Sequence, residues 1–555
     1  MRFWSPRLTK IGLAIGVALV GVTVLAASLR RRPDIEPPRG VHSDFSRDEF
    51  PQTLQALNAS FDAWAAEAGV QVAPPADNLT IMRRLSLALV GTGMSLEEIR
   101  AVERVPEDRQ LRWWVNHLLE DRRWSDYFAE RLSRAYVGTN EGPFLLFRRR
   151  KFNLWLAEQL RGGTPYDQIV REMLSAEGLW TDTPQVNFIT ATMDQEKNRA
   201  DPIRLAGRTS RAFLAQRIDC LQCHDDFLGE LNFGTSQDPI DGRQEHFHQL
   251  AAFFAGTGLP DPVFRGIRED GREYRYKYLH AEEEETVSPA VPFYPDLLPQ
   301  EGKPRARLAR WVTHPENRAF ARATVNRIWA LMTSRPLVAP VDSIPLDGSL
   351  PEPLEILAED FRTHGFDLRR LVRLIAMCNA MHRDSRAEFD ITEAHEECWA
   401  VFPLSQLRPE QVAGNVMQAS KLTAIDQTSS IFTRLKAYGD LQDFLKRFGD
   451  RGEDEFEADA VTISQRLVLM NGKLTRERTK NDLVNNAASR IAKLVGDDTQ
   501  AIELAFLSVL NRYPSTTELE VFRGYLNGKS GNARARALGD VYWAMINSTE
   551  FSWNH

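Results

Sequence analysis

The residues best suited to chemistry lie in one short stretch, Cys220-Leu221-Gln222-Cys223-His224. Two thiols separated by two residues match the two vinyl groups of one haem, and the histidine that follows is placed to ligate its iron. Two thioether bonds would fix the macrocycle, so the imidazole needs no distant part of the fold to reach the metal. The stretch holds two of only four cysteines in 555 residues, which excludes a disulfide-dense scaffold. Three other readings of the same residues stand beside covalent haem c. A thioredoxin-like pair wants a βαβ surrounding, whereas the flanks at 203–218 and 247–254 are patterned as helices. A zinc site would use Cys220, Cys223 and a histidine such as His246 or His248. A disulfide between the two cysteines, or two thiols beside a helix end, would be purely structural.

A haem iron held by His224 has a sixth position to fill. The candidates are His246, His248 and Met193, and His248 stands out because Phe247, Leu250 and Ala251 place it closest to the expected core. His224 and His248 are therefore the candidate metal ligands, and an open sixth position would give a catalytic rather than an electron-transferring haem. Arg208 and Arg211 are candidates for pairing the haem propionates, or are solvated. An oxidising compartment would permit a disulfide between Cys378 and Cys398, with two separate thiols as the alternative. No glycine-rich phosphate loop, Ser-x-x-Lys, Gly-x-Ser-x-Gly or His-Glu-x-x-His occurs, and no catalytic residue is assigned.

The elements that must carry this motif are mostly helical in pattern. Leu54, Leu57, Phe61 and Trp64 share one helix face, and Ser95 followed by Glu98 reads as a capped helix start. Trp114, Leu118, Leu119 and Trp124 keep helical spacing, as do Phe320, Thr324, Ile328 and Leu331. Gly365 and Asp367 mark the end of one helix and the start of the next. The habit breaks at 264–279, where Tyr274, Tyr276 and Tyr278 alternate with charged residues and Asp270-Gly271 supplies turn chemistry, predicting a β-hairpin. Five prolines between 289 and 304 then predict an extended crossing between two domains.

The N-terminus predicts where the motif works. Arg2, Arg7 and Lys10 precede an uncharged apolar run at 11–29, which Arg30, Arg31 and Arg32 close. A run of that length suits a transmembrane signal-anchor better than a secretory h-region of about 7–15 residues. A cleaved signal peptide ending near Ala27 is the alternative. The chain has a net charge of −7, and −13 remains once these six positive charges are set aside. Such a body repels nucleic acid and anionic lipid, so the membrane is engaged through the N-terminal helix alone. Haem attachment through thioethers is an extracytoplasmic process, so motif and export segment agree.

Several separated motifs give the chain a family resemblance. Residues 84–91 (RLSLALVG), 165–172 (PYDQIVRE), the 211–214 segment leading into 220–224, and 247–254 (FHQLAAFF) resemble the first domain of the planctomycete-type cytochrome C family. Residues 308–315 (LARWVTHP), 320–330 (FARATVNRIWA), 337–342 (LVAPVD), 367–375, 407–411 (LRPEQ), 469–472 and 544–555 resemble its usual C-terminal partner domain. The resemblance covers roughly residues 76–555 and implies an exported protein with a haem expected at its own Cys-x-x-Cys-His. Many relatives carry a second histidine two residues after the first, and this chain has Asp226 there. That argues against a metal site built on the second histidine and leaves the three haem residues in place.

The expectation is a mainly α protein of two helical domains with a small β-hairpin between them, behind one N-terminal transmembrane helix. The divisions are a signal-anchor at 1–32, a tether and leading helix at 33–75, and a cytochrome-like domain at 76–262. A hairpin and proline-rich crossing follow at 263–304, and the C-terminal helical domain at 305–555. The expected function is a membrane-anchored c-type haem protein transferring electrons to an unknown redox or surface protein, with its body in the periplasm or outside the cell. The alternative is a non-enzymatic surface or assembly protein whose Cys-His motif is a structural metal or disulfide site.

Overall fold

The structure is a computed structural model that describes residues 35, 45, 49–139, 149–194, 199–260, 265–449, 452, 456 and 462–555. The apolar run at 11–29 lies outside the described residues. Within them, no helix is long and apolar enough to cross a membrane.

The fold is mainly helical, and several of its helices begin where the sequence supplies caps. Ser95 Oγ accepts from the Glu98 amide while the Glu98 carboxylate accepts from the Ser95 amide, which starts the helix Leu96–Val102. Asp367 accepts from the amides of Arg369 and Arg370 at the head of the helix Leu368–Met377. Gly365 just before it takes φ +67°, a left-handed conformation that glycine adopts without a Cβ clash. The helices Asn78–Val90, Arg318–Thr333 and Pro409–Ala419 are buried along almost their whole length.

The cores do not divide at the proline-rich crossing. One continuous core runs from Phe45 to Phe402 with Leu507, joining both expected domains, and a second gathers Leu87 and residues from Leu407 to Phe551. Phe61 stacks on Trp329 at 5.3 Å and Tyr166 on Phe320 at 5.6 Å, each pair spanning the expected boundary. The crossing is itself packed. Val291 and Phe293 are buried, and Trp311 donates its indole N–H to the Tyr294 carbonyl. Arg305 is wholly buried, donates to the carbonyls of Leu174 and Ala176, and pairs with Glu269 at 3.3 Å. Prolines keep this segment out of helix and sheet, and its side chains nonetheless cement the two parts together.

Strands are few and short, and the expected hairpin needs correcting. Tyr274–Tyr276 is a strand, but its antiparallel partner is Glu285–Val287, not the segment before Asp270. Arg268–Glu269 pairs instead with Thr257–Gly258 in a small four-stranded sheet. Gly271 does turn the chain, at φ +66°, but the turn leads from one sheet to another. Buried Val287 and half-buried Tyr274 face each other across the ladder, and that shared apolar face selects the register.

Candidate functional site

The Cys-x-x-Cys-His motif starts on a 3-10 turn, Asp219–Gln222, and continues past it through Cys223 and His224 at the molecular surface. Cys220 and Cys223 are both exposed free thiols, and the amides of Cys223 and His224 donate back to the Cys220 carbonyl. Residues on either side hold the loop. The Asp225 carboxylate accepts from the Gln244 amide, and Asp226 accepts from the amides of Leu228 and Leu231. Where relatives have a second histidine, Asp226 thus caps a turn.

His224 is exposed, with its ring against Phe227 at 5.9 Å. Its Nδ1 lies 2.7 Å from the Asp225 carbonyl, which can only accept, so Nδ1 carries a proton and in the neutral ring Nε2 keeps the lone pair. That is the tautomer of a metal-ligating imidazole whose other nitrogen is tied to a backbone carbonyl. Phe227 and Leu228 beside it are 75% and 83% exposed, an apolar surface next to the two thiols.

His248 has a different geometry from that of a ligand. It is wholly buried, and its Nε2 donates to the Gln222 carbonyl at 3.1 Å while its Nδ1 accepts from the Tyr274 hydroxyl at 2.9 Å. Its ring stacks on Tyr276 with centroids 3.4 Å apart. Gln244 and Tyr276 donate to the same Gln222 carbonyl, at 3.0 and 3.1 Å. The carbonyl between the two cysteines is thus clamped from beneath by three donors. His248 is a positioning residue, with neither nitrogen free for a metal, and burial pushes its pKa below the ordinary histidine value. His246 caps its own helix by accepting from the Arg243 amide, and Met193 packs against the main core from a short strand. Among the described residues no cluster of three or more histidine, cysteine or acidic side chains could hold a metal ion.

Cys220 does not have the electrostatics of a redox nucleophile. Burial, followed by the carboxylates of Asp226 and Asp219, pushes the Cys220 thiol above its usual value, the reverse of an activated thiolate. Cys378 and Cys398 are separate buried thiols, each donating to a carbonyl of its own chain segment.

Sequence reasoning missed two features. The clamp on Gln222 was signalled by the alternation of Tyr274 and Tyr276, which places two hydroxyl-bearing rings on one side of a strand. The second is a cavity of about 650 Å³ whose wall includes Arg208 and Arg211. Arg211 pairs at 3.3 Å with Asp219, the residue before Cys220, so cavity and motif are one ion pair apart.

A family profile described as PSCyt2, protein of unknown function (DUF1549), matches residues 56–258. A second, described as PSD1, protein of unknown function (DUF1553), matches residues 304–435. The chain belongs to the planctomycete cytochrome C-associated two-domain family. No curated protein and no solved structure matches it.

Proposed function

We propose that this family member is an extracytoplasmic c-type haem protein that transfers electrons and is anchored to the membrane by residues 11–29. The observation that carries the reading is the state of the motif: two exposed, unlinked thiols followed by an exposed imidazole with its Nδ1 proton on a carbonyl and its Nε2 open. These residues fit a covalent haem, with Cys220 and Cys223 as thioether anchors and His224 Nε2 as the iron ligand. When bound, the haem supplies a one-electron couple. The protein's part is to fix the loop, through the three donors on the Gln222 carbonyl, and to present the apolar side chains of Phe227 and Leu228 beside the anchors. Zinc at the same thiols and His224 is the competing assignment, and His246 and His248, the candidates for a fourth ligand, are engaged through His246 Nδ1 and both nitrogens of His248.

The test uses protein made in a host competent for c-type haem maturation. Denatured protein should keep haem, seen as a c-type band in the alkaline pyridine spectrum and as added mass on the intact chain. Cys220→Ala with Cys223→Ala should remove both signals, whereas His224→Ala should leave part of the attachment and alter the iron's ligation. A bare polypeptide mass with no such band overturns the reading, and bound zinc in that sample would replace it by a structural metal site.

A further inference from the structure

We propose that the 650 Å³ cavity behind the Cys-x-x-Cys-His motif binds a small organic anion, an apolar body carrying one carboxylate, sulfate or phosphate group. The inference does not rest on haem binding. The volume falls in the range of small-molecule sites, about 300–1,000 Å³. Five arginines line the cavity, Arg208, Arg211, Arg217, Arg327 and Arg335, against two carboxylates, Asp342 and Glu396. Asp342 pairs with Arg217 at 2.6 Å and Glu396 with Arg335 at 3.2 Å, so the acids of the wall are already engaged.

Arg327 decides the ligand's charge. It is 8% exposed, and its guanidinium makes no ion pair or hydrogen bond among the described residues, with Nε buried and unsatisfied. The groups whose ionisation it feels, Tyr136 and Tyr166, hydrogen-bond each other through their hydroxyls. Burial keeps both protonated, Tyr166 being pushed up to about 12, so they offer no counter-charge. A guanidinium does not deprotonate to escape burial, and an uncompensated buried charge is costly, so a charge that enters with the ligand completes the site. A planar oxyanion suits the fork of Arg327, while Arg211, Arg217 and Arg335 are already held by Asp219, Asp342 and Glu396. Pro336, Val341, Pro403, Leu404 and Trp553 form the apolar remainder of the wall and set the character of the ligand's body.

The neighbouring backbone holds Arg327 in place. Asn326 exchanges two hydrogen bonds with Val338, donating to its carbonyl at 2.8 Å and accepting from its amide at 3.0 Å. This ties the helix Arg318–Thr333 to the 337–342 segment across the cavity wall.

Isothermal titration of the full chain with naphthalene-2-carboxylate, and with its methyl ester as the neutral counterpart, tests the proposal. One carboxylate per chain is expected, with no measurable ester binding. Arg327→Met should weaken the carboxylate about tenfold or more while leaving the melting temperature of the free protein equal or higher. A merely structural arginine would lower it. Leu404→Trp, which narrows the mouth without altering charge, should also weaken binding. Equal binding of acid and ester, or an unchanged affinity in both variants, overturns the proposal. So does binding to the Cys220→Ala, Cys223→Ala protein that vanishes when haem is attached, since the cavity would then belong to the haem propionates.

Discussion

At the scale of single residues, His248 shows how a candidate ligand becomes part of a scaffold. Its imidazole is an acceptor toward Tyr274 and a donor toward Gln222. The acceptor role requires the neutral ring, and protonation would force the Tyr274 hydroxyl to turn from donor to acceptor. Burial lowers the folded pKa below 6.5, so the unfolded chain takes up the proton first as the pH falls. Stability from this residue is therefore complete above about pH 6.5 and is lost on acidification below it. Buried His382, at about 4, adds a loss of the same sign over the same range. Denaturant unfolding at stepped pH should show wild-type stability falling below pH 6.5, and falling less in His248→Gln. His248→Ala should cost about 2–4 kcal/mol at neutral pH, because it opens a cavity and strands the Tyr274 hydroxyl. Equal acid sensitivity in wild type and His248→Gln would remove the histidine from this account.

At the scale of elements, a loop joins the two cores. The amide of Gly93 donates to Asn415 at 2.6 Å and that of Met94 to Asn511 at 3.0 Å, while Gln411 donates to the Leu87 carbonyl. Helix Pro409–Ala419 comes so close that a Cβ on Gly414 would stand 2.7 Å from Thr92 Cγ2 and 3.1 Å from the Gly91 carbonyl. Gly414→Ala should therefore destabilise by about 1–3 kcal/mol despite the better helix propensity of alanine, measured by chemical denaturation. A gain in stability would show that the contact yields freely. Helix starts such as Ser95 and Asp367 were legible in the sequence because capping is local chemistry within three residues. The pairing of Tyr274–Tyr276 was not legible, since several nearby segments offered a partner and a non-local apolar face chose among them. The motif residues were legible for the same local reason as the caps. Arg327 was not, because Arg318–Thr333 is buried all round and its periodicity does not show which side borders a cavity.

At the scale of the whole molecule, the sequence families and the packed cores divide the chain differently. The two family matches break between 258 and 304, in the neighbourhood of the proline-rich crossing. The cores divide near residues 402–407 instead, apart from Leu507 in the larger core and Leu87 in the smaller. Composition shows where regular structure stops, but not whether the irregular segment is packed, and here it is held by Arg305 on the far helix's carbonyls and by Lys303 on Glu177. Proteolysis requires a segment to unfold locally into the protease, so hydrogen bonding and burial set the cutting site more than proline content does. Limited digestion should therefore not release a fragment pair joined at 287–304. Arg305→Met should keep the local packing but lose the bonds to Leu174, Ala176 and Glu269, and cutting near the crossing should then rise. Mass spectrometry of the early fragments decides it: a wild-type chain cut first between 287 and 304 would mean that the two family segments behave as independent bodies, against the continuous core that joins Phe61 to Trp329 and Tyr166 to Phe320.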